Sequence, residues 1–305
     1  MDDPKAVKPD EDVTRRPLDE LFTLTRQYKS TRAYHELLEF ITRFRFYAPY
    51  NAMLIHVQMP GATFVCPPHR WRENYQHRIK FGARPLVILQ PMGPVMFVFD
   101  VSDTEPIDGA PPLPREVTSP FEPRGAKVGN HLDQTIENAK RDGVRIGPRQ
   151  AGSQSAGVIC VANASGYLDV ITKLKPQRES VKVEVKYEIL LNSDQSREGR
   201  YATLVHELAH LYCGHLGIPR QKWKSWPDRS GLSEGVREFE AESVCYLVCQ
   251  RLGIVNPSAE YLSGYVDDNK DKDVPAISLE CVMAASGLIE KMGRERLKPR
   301  KEDQQ

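Results

Sequence analysis

The chain has 305 residues, of which 40% are hydrophobic and 27% charged, and its formal net charge at pH 7 is +1. These values are ordinary for globular domains, and the length predicts two of them. No apolar run is long enough to span a bilayer, and the polar first residues do not resemble a secretory signal, so we expect a cytoplasmic protein with no membrane partner. The six cysteines lack C-x-x-C spacing, and we expect them to be reduced thiols.

In chain order, residues 1–14 are polar and expected to be disordered, and residues 15–105 are predicted to form the first domain. Its pattern is helical from Leu18 to about Phe46 and again after Pro49. Two β-rich runs that flank the turn signal Met92-Gly93-Pro94 then predict a β-hairpin. The first domain is therefore expected to combine helices with one hairpin.

A linker is predicted over residues 106–128, which are rich in proline and show little periodicity. The second domain is assigned to residues 129–295, and residues 296–305 are expected to be a mobile charged tail. Within the second domain the patterns predict a helix at about 132–141, strands at 157–161 and 181–191, the helices described next, and a last helix at about 277–292. The strand at 181–191 alternates polar and apolar residues as an edge strand does, and such a strand could pair with an extended peptide. The fold class expected for the whole chain is α+β.

Basic and aromatic residues are interleaved between Arg26 and Arg84, where ten Lys and Arg face only three Glu. Cations can hold phosphates and aromatic faces can stack on unpaired bases, which favours nucleic-acid binding. A helical domain with a basic surface and an aromatic core would give the same composition, so that alternative stays open. The candidates for DNA contact are Arg43, Arg45, Tyr50, Arg70, Trp71 and Lys80.

The most specific motif is H-E-x-x-H, formed by His206, Glu207 and His210. On a helix, residues four apart share one face, so both imidazoles can point at one metal ion while the glutamate reaches a water. The flanking residues are apolar almost all round, which predicts a buried helix, and buried histidines and glutamates are costly unless something pairs with them. These residues predict a zinc site with Glu207 as general base.

A third ligand is expected from a downstream helix that ends at Gly253. Glu238 and Glu242 lie four residues apart on one face of it, and we expect one to bind the metal and the other to orient a histidine. Glu240 points elsewhere and is interpreted as part of a solvated acidic face.

H-E-x-x-H followed by E-x-x-A-E resembles the gluzincin metallopeptidases. That resemblance implies that Glu238 is the third ligand and that Glu242, where Asp is commoner, orients a ligand histidine; the reverse assignment stays open. The spacing of Gly214 and His215 departs from the three-histidine metzincin pattern, so His215 is interpreted as a neighbour of the site. The catalytic half is also similar to the ImmA/IrrE group of regulatory metallopeptidases.

The first half resembles the N-terminal domain of ArdC-like antirestriction proteins. The resemblance rests on the order of several short segments: Tyr47–Leu54, Arg70-Trp71, Ile79–Pro85, the hairpin and Phe99–Glu105. It implies a single-stranded-DNA-binding module followed by a zincin-like domain, in a bacterial, phage or plasmid-encoded protein.

The function expected from the sequence is that of a zinc metalloendopeptidase whose first domain binds single-stranded DNA and whose substrate is a DNA-associated protein or peptide. Two alternatives remain. One is an antirestriction protein that shields DNA without proteolysis, and the other is a regulatory peptidase that cleaves a repressor.

Overall fold

The structure is a computed structural model that describes residues 31–90, 93–118, 128–150, 157–173, 177, 179–219, 223–254, 258, 262 and 274–300. The chain divides into two compact units, one ending at Glu122 and the other beginning at Pro123. Each unit combines helices with small sheets, so the predicted α+β class is confirmed. The segment 1–14, expected to be disordered, and the predicted helical residues before Thr31 lie outside the described residues.

The first described helix of this unit buries Tyr34, Leu37, Leu38 and Ile41, a spacing that places them on one helical face. The second helix starts with Pro49 at its first turn, where proline is tolerated. The described elements of this unit are helices α1 (Thr31–Arg43), α2 (Pro49–Gln58), α3 (Pro68–Tyr75) and α4 (Arg115–Thr118), and strands β1 (Val65–Cys66), β2 (His77–Ile79), β3 (Leu86–Gln90), β4 (Gly93–Asp100) and β5 (Thr104–Pro106).

The predicted hairpin is confirmed, because β3 and β4 pair antiparallel with Leu86 opposite Val98. Strand β4 also pairs with β1, so β3 is an edge strand. Two side-chain amides on α2 cover that edge. Asn51 bonds to both the N–H and the carbonyl of Leu89 at 3.0 Å, and Gln58 bonds in the same way to Val87 at 2.8 and 2.9 Å. The helix therefore occupies the backbone groups that another strand would otherwise pair with.

The expected linker differs from the structure over its described part. Strand β5 pairs antiparallel with β2, so that Pro106 lies opposite His77. Val117 is buried in a cluster with Phe64, Cys66 and Trp71. These contacts assign the residues through Thr118 to the first unit, because apolar side chains at 113 and 117 complete its core.

The second unit has a three-stranded sheet in the order β6-β10-β7, with β6 and β10 parallel and β10 and β7 antiparallel. A separate antiparallel pair is formed by β8 and β9. The described elements are strands β6 (Val144–Arg149), β7 (Gly157–Val161), β8 (Tyr167–Lys173), β9 (Glu179–Glu184) and β10 (Tyr187–Asn192), and helices α5 (His131–Ala139), α6 (Arg197–Tyr212), α7 (Glu234–Leu252) and α8 (Leu279–Arg294).

The prediction of one edge strand over 181–191 is wrong. The chain turns at Val185 and Lys186, where the N–H of Lys186 donates to the carbonyl of Gly143 at 2.8 Å. The residues on either side of that turn belong to different sheets, and β10 is the central strand of its sheet. The edge position next to α6 is occupied by β7.

The tail residues up to Arg300 are held by polar contacts. The N–H of Leu297 donates to the Asn138 side chain at 2.8 Å, and the Arg300 guanidinium pairs with the fully buried Asp142. Asp142 also accepts a hydrogen bond from the Tyr212 hydroxyl, at the end of α6, at 2.8 Å. The described part of the tail is therefore anchored, in contrast to the mobile tail expected. In the parts of the chain that the structure describes, we find no helix with the length and apolarity needed to cross a membrane.

Candidate metal centre

Two packed helices supply the candidate metal donors. Helix α6 is capped at its N-terminus by Ser196, whose hydroxyl accepts from the N–H of Gly199 at 3.0 Å, and the helix is buried along most of its length. Helix α7 is followed by Gly253, which has φ of 82° and supplies the left-handed conformation of a helix C-cap. Because both helices are anchored by caps and burial, the side chains that they aim at each other are held in place.

The structure brings the three predicted ligands together. The Nε2 atoms of His206 and His210 are 3.1 Å apart. Glu238 places Oε2 3.4 Å from the first nitrogen and Oε1 3.4 Å from the second. The remaining carboxylate, Glu242, lies on the other side of the His206 ring, with Oε1 3.4 Å from Nδ1. This geometry favours Glu238 as ligand and Glu242 as the group that orients His206.

These donor separations fit a small divalent ion. A tetrahedral zinc ion with donors at about 2.0–2.1 Å holds neighbouring donors about 3.3 Å apart. Here the two nitrogens are 3.1 Å apart, and each lies 3.4 Å from a different oxygen of the Glu238 carboxylate. Two imidazoles and a carboxylate are also the donor set found in one class of catalytic zinc sites. His206, His210 and Glu238 can therefore hold a divalent metal ion.

The electrostatics of the cluster favour a positive charge. Burial lowers the pKa of His206, but Glu238 and Glu242 outweigh burial and raise that pKa to about 9. Burial and the neighbouring charge of His206 hold the pKa of His210 well below its ordinary value. The hydrogen bond to His206 lowers the pKa of Glu238. A positive charge on His206 is therefore stabilised between these groups, whereas a second positive charge on His210 is not.

Glu207 lies beside the donors but is not one of them. Its side chain is buried against β7, and burial raises its pKa, while the backbone N–H of Ile159 donates to its carboxylate. The strand can approach this closely because residue 157 is glycine. A Cβ there would lie 2.5 Å from Thr203 Cγ2 and 3.5 Å from Glu207 Oε1. A buried carboxyl group with a raised pKa suits a general base near neutral pH.

An open cleft of about 420 Å³ lies over the cluster. One wall is formed by residues 157–159 of β7, and the opposite wall by Glu234, Arg237 and Glu238 at the start of α7. His206, Glu207 and His210 line the cleft between these walls. The site is therefore accessible to a ligand that enters along β7.

A chain of polar groups that the sequence did not predict lies behind His210. The Nδ1 atoms of His210 and His215 are 3.0 Å apart, and His215 Nε2 is 2.9 Å from Glu240 Oε2. Arg229 donates to both oxygens of Glu240, at 2.5 and 2.6 Å, and the N–H of Ser278 donates to Oε1 at 2.6 Å.

The interpretation of Glu240 as a solvated residue is therefore wrong. Its exposed fraction is 0%, and three partners compensate its burial. Burial alone would raise the pKa of Glu240, but the hydrogen bonds from His215, Arg229 and Ser278 hold it below the usual range. The spacing of the acidic residues on α7 could not predict the burial of Glu240, because its partners Arg229 and Ser278 lie outside that helix.

Trp71, proposed from the sequence as a DNA contact, is a core residue. It is fully buried and packs edge to face on Phe64, with ring centroids 5.7 Å apart. Its Nε1 donates to the carbonyl of Phe99 at 2.9 Å. Its ring is therefore unavailable for stacking on a base.

The other five DNA candidates lie at or near the surface of the first unit. Tyr50 is half-buried, and the exposed members are Arg43, Arg45, Arg70 and Lys80. Three phenylalanines that were not selected as contacts are also exposed: Phe46, Phe81 and Phe97. Phe46 directly follows Arg45 and Phe81 directly follows Lys80, so two of these exposed rings adjoin a cation in the chain.

Fold and site together define an α+β protein with a candidate metal centre built from an H-E-x-x-H helix and a glutamate helix. No protein-family model and no curated protein matches the chain. It is similar to two crystal structures of the antirestriction ArdC protein from plasmid R388, one metal-free and one Mn(II)-bound. Each comparison has 15% identity and covers 81% of this chain and 82% of the other, with TM-scores of 0.32 and 0.33. Similarity this low assigns neither a family nor a function to the chain.

Proposed function

We propose that the chain is a zinc-dependent metallopeptidase whose first unit binds single-stranded DNA and whose substrates are DNA-associated proteins. The observation that carries the peptidase half is the approach of three donor groups to within 3.1–3.4 Å of one another. A buried Glu207 beside them is the second requirement of a zinc hydrolase.

In this mechanism His206, His210 and Glu238 hold the ion. When bound, the ion supplies Lewis acidity that polarises the peptide carbonyl and lowers the pKa of a water. Glu207 accepts a proton from the attacking water, whose oxygen bonds to the carbonyl carbon. The same carboxyl group then donates that proton to the nitrogen as the C–N bond breaks, which yields a carboxylic acid and an amine; transfer of the acid's proton to the amine gives carboxylate and ammonium.

Strand β7 and Arg237 are placed to position the peptide. Among the described strands, β7 pairs only with β10, so its other edge, towards α6, is the edge to which an extended substrate can add. Arg237 lines the opposite wall, and its charge acts on His210. A cation there can stabilise the negative charge that develops on the carbonyl oxygen.

The test is a proteolysis assay of the full chain with zinc, on DNA-bound proteins with and without single-stranded DNA. We expect Glu207→Gln to keep the metal and the fold but to lose at least about a hundredfold in rate, as removal of a general base does. Undiminished proteolysis by this variant would contradict the mechanism.

The DNA-binding half rests on the exposed cations and on Phe46, Phe81 and Phe97 of the first unit. Duplex offers phosphates but keeps its base faces stacked, so only a single strand can use both kinds of side chain. We expect the full chain to bind single-stranded DNA more tightly than duplex of the same sequence, with affinity that falls steeply with salt. Fluorescence anisotropy on matched oligonucleotides measures both.

A second candidate is an antirestriction protein that shields DNA and does not need proteolysis. It is favoured by the same exposed phenylalanines, because they lie in a unit separate from the metal centre. Full DNA protection by Glu207→Gln would support shielding. Loss of protection by Glu207→Gln would support the peptidase, and cleavage that does not depend on DNA would instead indicate a regulatory peptidase.

A further inference from the structure

We propose that His215 is a positioning residue that, with Glu240 and Arg229, fixes the His210 ring in the one tautomer that can bind a metal ion. The inference rests on the proposed metal centre and deepens it. It assigns a role to three buried or partly buried residues that the peptidase mechanism does not use.

The ionised carboxylate of Glu240 can only accept hydrogen bonds. Arg229 donates to both of its oxygens, and that pairing compensates the burial of Glu240. The nitrogen of His215 that faces it, Nε2, is 2.9 Å away and must therefore carry a proton. Arg229 already balances the charge of Glu240, so a doubly protonated His215 would be a buried cation without a counter-charge. The ring is therefore neutral, with its proton on Nε2 and a lone pair on Nδ1.

That lone pair faces His210. The two Nδ1 atoms are 3.0 Å apart, so one of them must donate and the other accept. Because His215 accepts, the proton of His210 lies on Nδ1, and the lone pair of its Nε2 points towards His206 and Glu238. The reverse tautomers would aim a lone pair of His215 at a carboxylate and place a proton on the nitrogen that should bind the ion.

The turn after α6 makes this contact possible. Gly214 has φ of 81°, and a Cβ there would lie 2.1 Å from the carbonyl oxygen of Pro227. The turn brings the N–H of His215 to 2.9 Å from the carbonyl of His210, and the two rings meet edge to face with centroids 5.1 Å apart. Arg229 also stabilises this turn, because its backbone N–H donates to the carbonyl of Gly214 at 2.9 Å.

A second metal ion is the rival explanation, because Cys213, His215 and Glu240 also lie close enough together to share one. Two observations oppose it. Arg229 and Ser278 already bind both oxygens of Glu240. Burial raises the pKa of the Cys213 thiol well above its ordinary value, which disfavours the thiolate that binds metals.

The test measures zinc affinity and stoichiometry by chelator competition on the full chain. We expect wild type and Cys213→Ala to bind one zinc with equal affinity. His215→Leu offers no acceptor to His210, and loss of such an outer partner should weaken binding about ten- to a hundredfold. His215→Asn places an amide oxygen near the former Nδ1 position and should restore most of the affinity.

Unchanged affinity in His215→Leu, or a second zinc that Cys213→Ala abolishes, would overturn the proposal while leaving the peptidase intact. Absence of zinc binding by the wild type would instead refute the metal centre, and the positioning role with it. Nitrogen-15 NMR of the histidine rings in the wild type provides a reading that does not depend on the folding of a variant. We expect His215 protonated on Nε2 and His210 on Nδ1; His215 protonated on Nδ1 would contradict the tautomer assignment.

Discussion

Trp71 and Phe81 form a matched pair that separates the core of the first unit from its surface. Trp71 is fully buried, so Trp71→Ala removes a complete indole from the core at a cost of about 3–5 kcal/mol. The carbonyl of Phe99 also loses the donor that bonds to it at 2.9 Å, which adds about 1 kcal/mol. A total near 4–6 kcal/mol is comparable with the whole stability of a small domain, about 5–15 kcal/mol.

Hydrogen–deuterium exchange of the full chain measures this cost locally. A loss of about 4 kcal/mol corresponds to exchange on the order of a thousandfold faster for the most protected amides of β3 and β4, since each 1.4 kcal/mol is about tenfold. Phe81 is fully exposed, so Phe81→Ala should leave exchange unchanged and weaken single-strand binding roughly fivefold or more. A Trp71→Ala protein with wild-type exchange that has lost only its DNA affinity would refute the assignment of Trp71 to the core.

Two further predictions concern the metal centre. The pKa of His206 is raised to about 9 while that of Glu238 is lowered, so between pH 6.5 and 8.5 metal binding must displace a proton from His206. Zinc affinity should therefore rise about tenfold per pH unit over this range, and a flat profile in chelator competition would contradict it. Gly157→Ala places a Cβ 2.5 Å from Thr203 Cγ2, so it should displace β7, remove the Ile159 N–H from the general base and cost about 1–3 kcal/mol. Adding Thr203→Ser removes the clashing methyl group and should restore part of both stability and peptidase rate; a double variant no better than Gly157→Ala would exclude the steric explanation.

Local periodicity is sufficient to predict the helices of the metal centre. The spacing of His206 and His210 places both rings on one face whatever surrounds the helix, and Glu238 and Glu242 obey the same rule. The hairpin is equally local, because its two β-rich runs are joined by a turn signal. In both cases the partner residues are close in sequence.

The features that could not be predicted depend on distant partners. The alternation runs from Val181 to Ile189 without a break, and the change of sheet depends on hydrogen bonds from Lys186 and Tyr187 to the distant Gly143. Glu240 has the spacing of a surface residue, and its burial depends on Arg229 and Ser278, which α7 does not contain. The burial of Trp71 likewise depends on residues distant in sequence, so the composition of the first unit could not show whether this side chain lies in the core or stacks on a base.

The decisive experiment on the metal centre is to grow crystals of the full chain with zinc and to collect diffraction data at the zinc absorption edge. We expect one anomalous peak among His206 Nε2, His210 Nε2 and the Glu238 carboxylate, with Glu242 hydrogen-bonded to His206. A peak at Cys213, His215 and Glu240 instead, or no peak at the first site in zinc-saturated protein, would contradict the assignment of the metal centre.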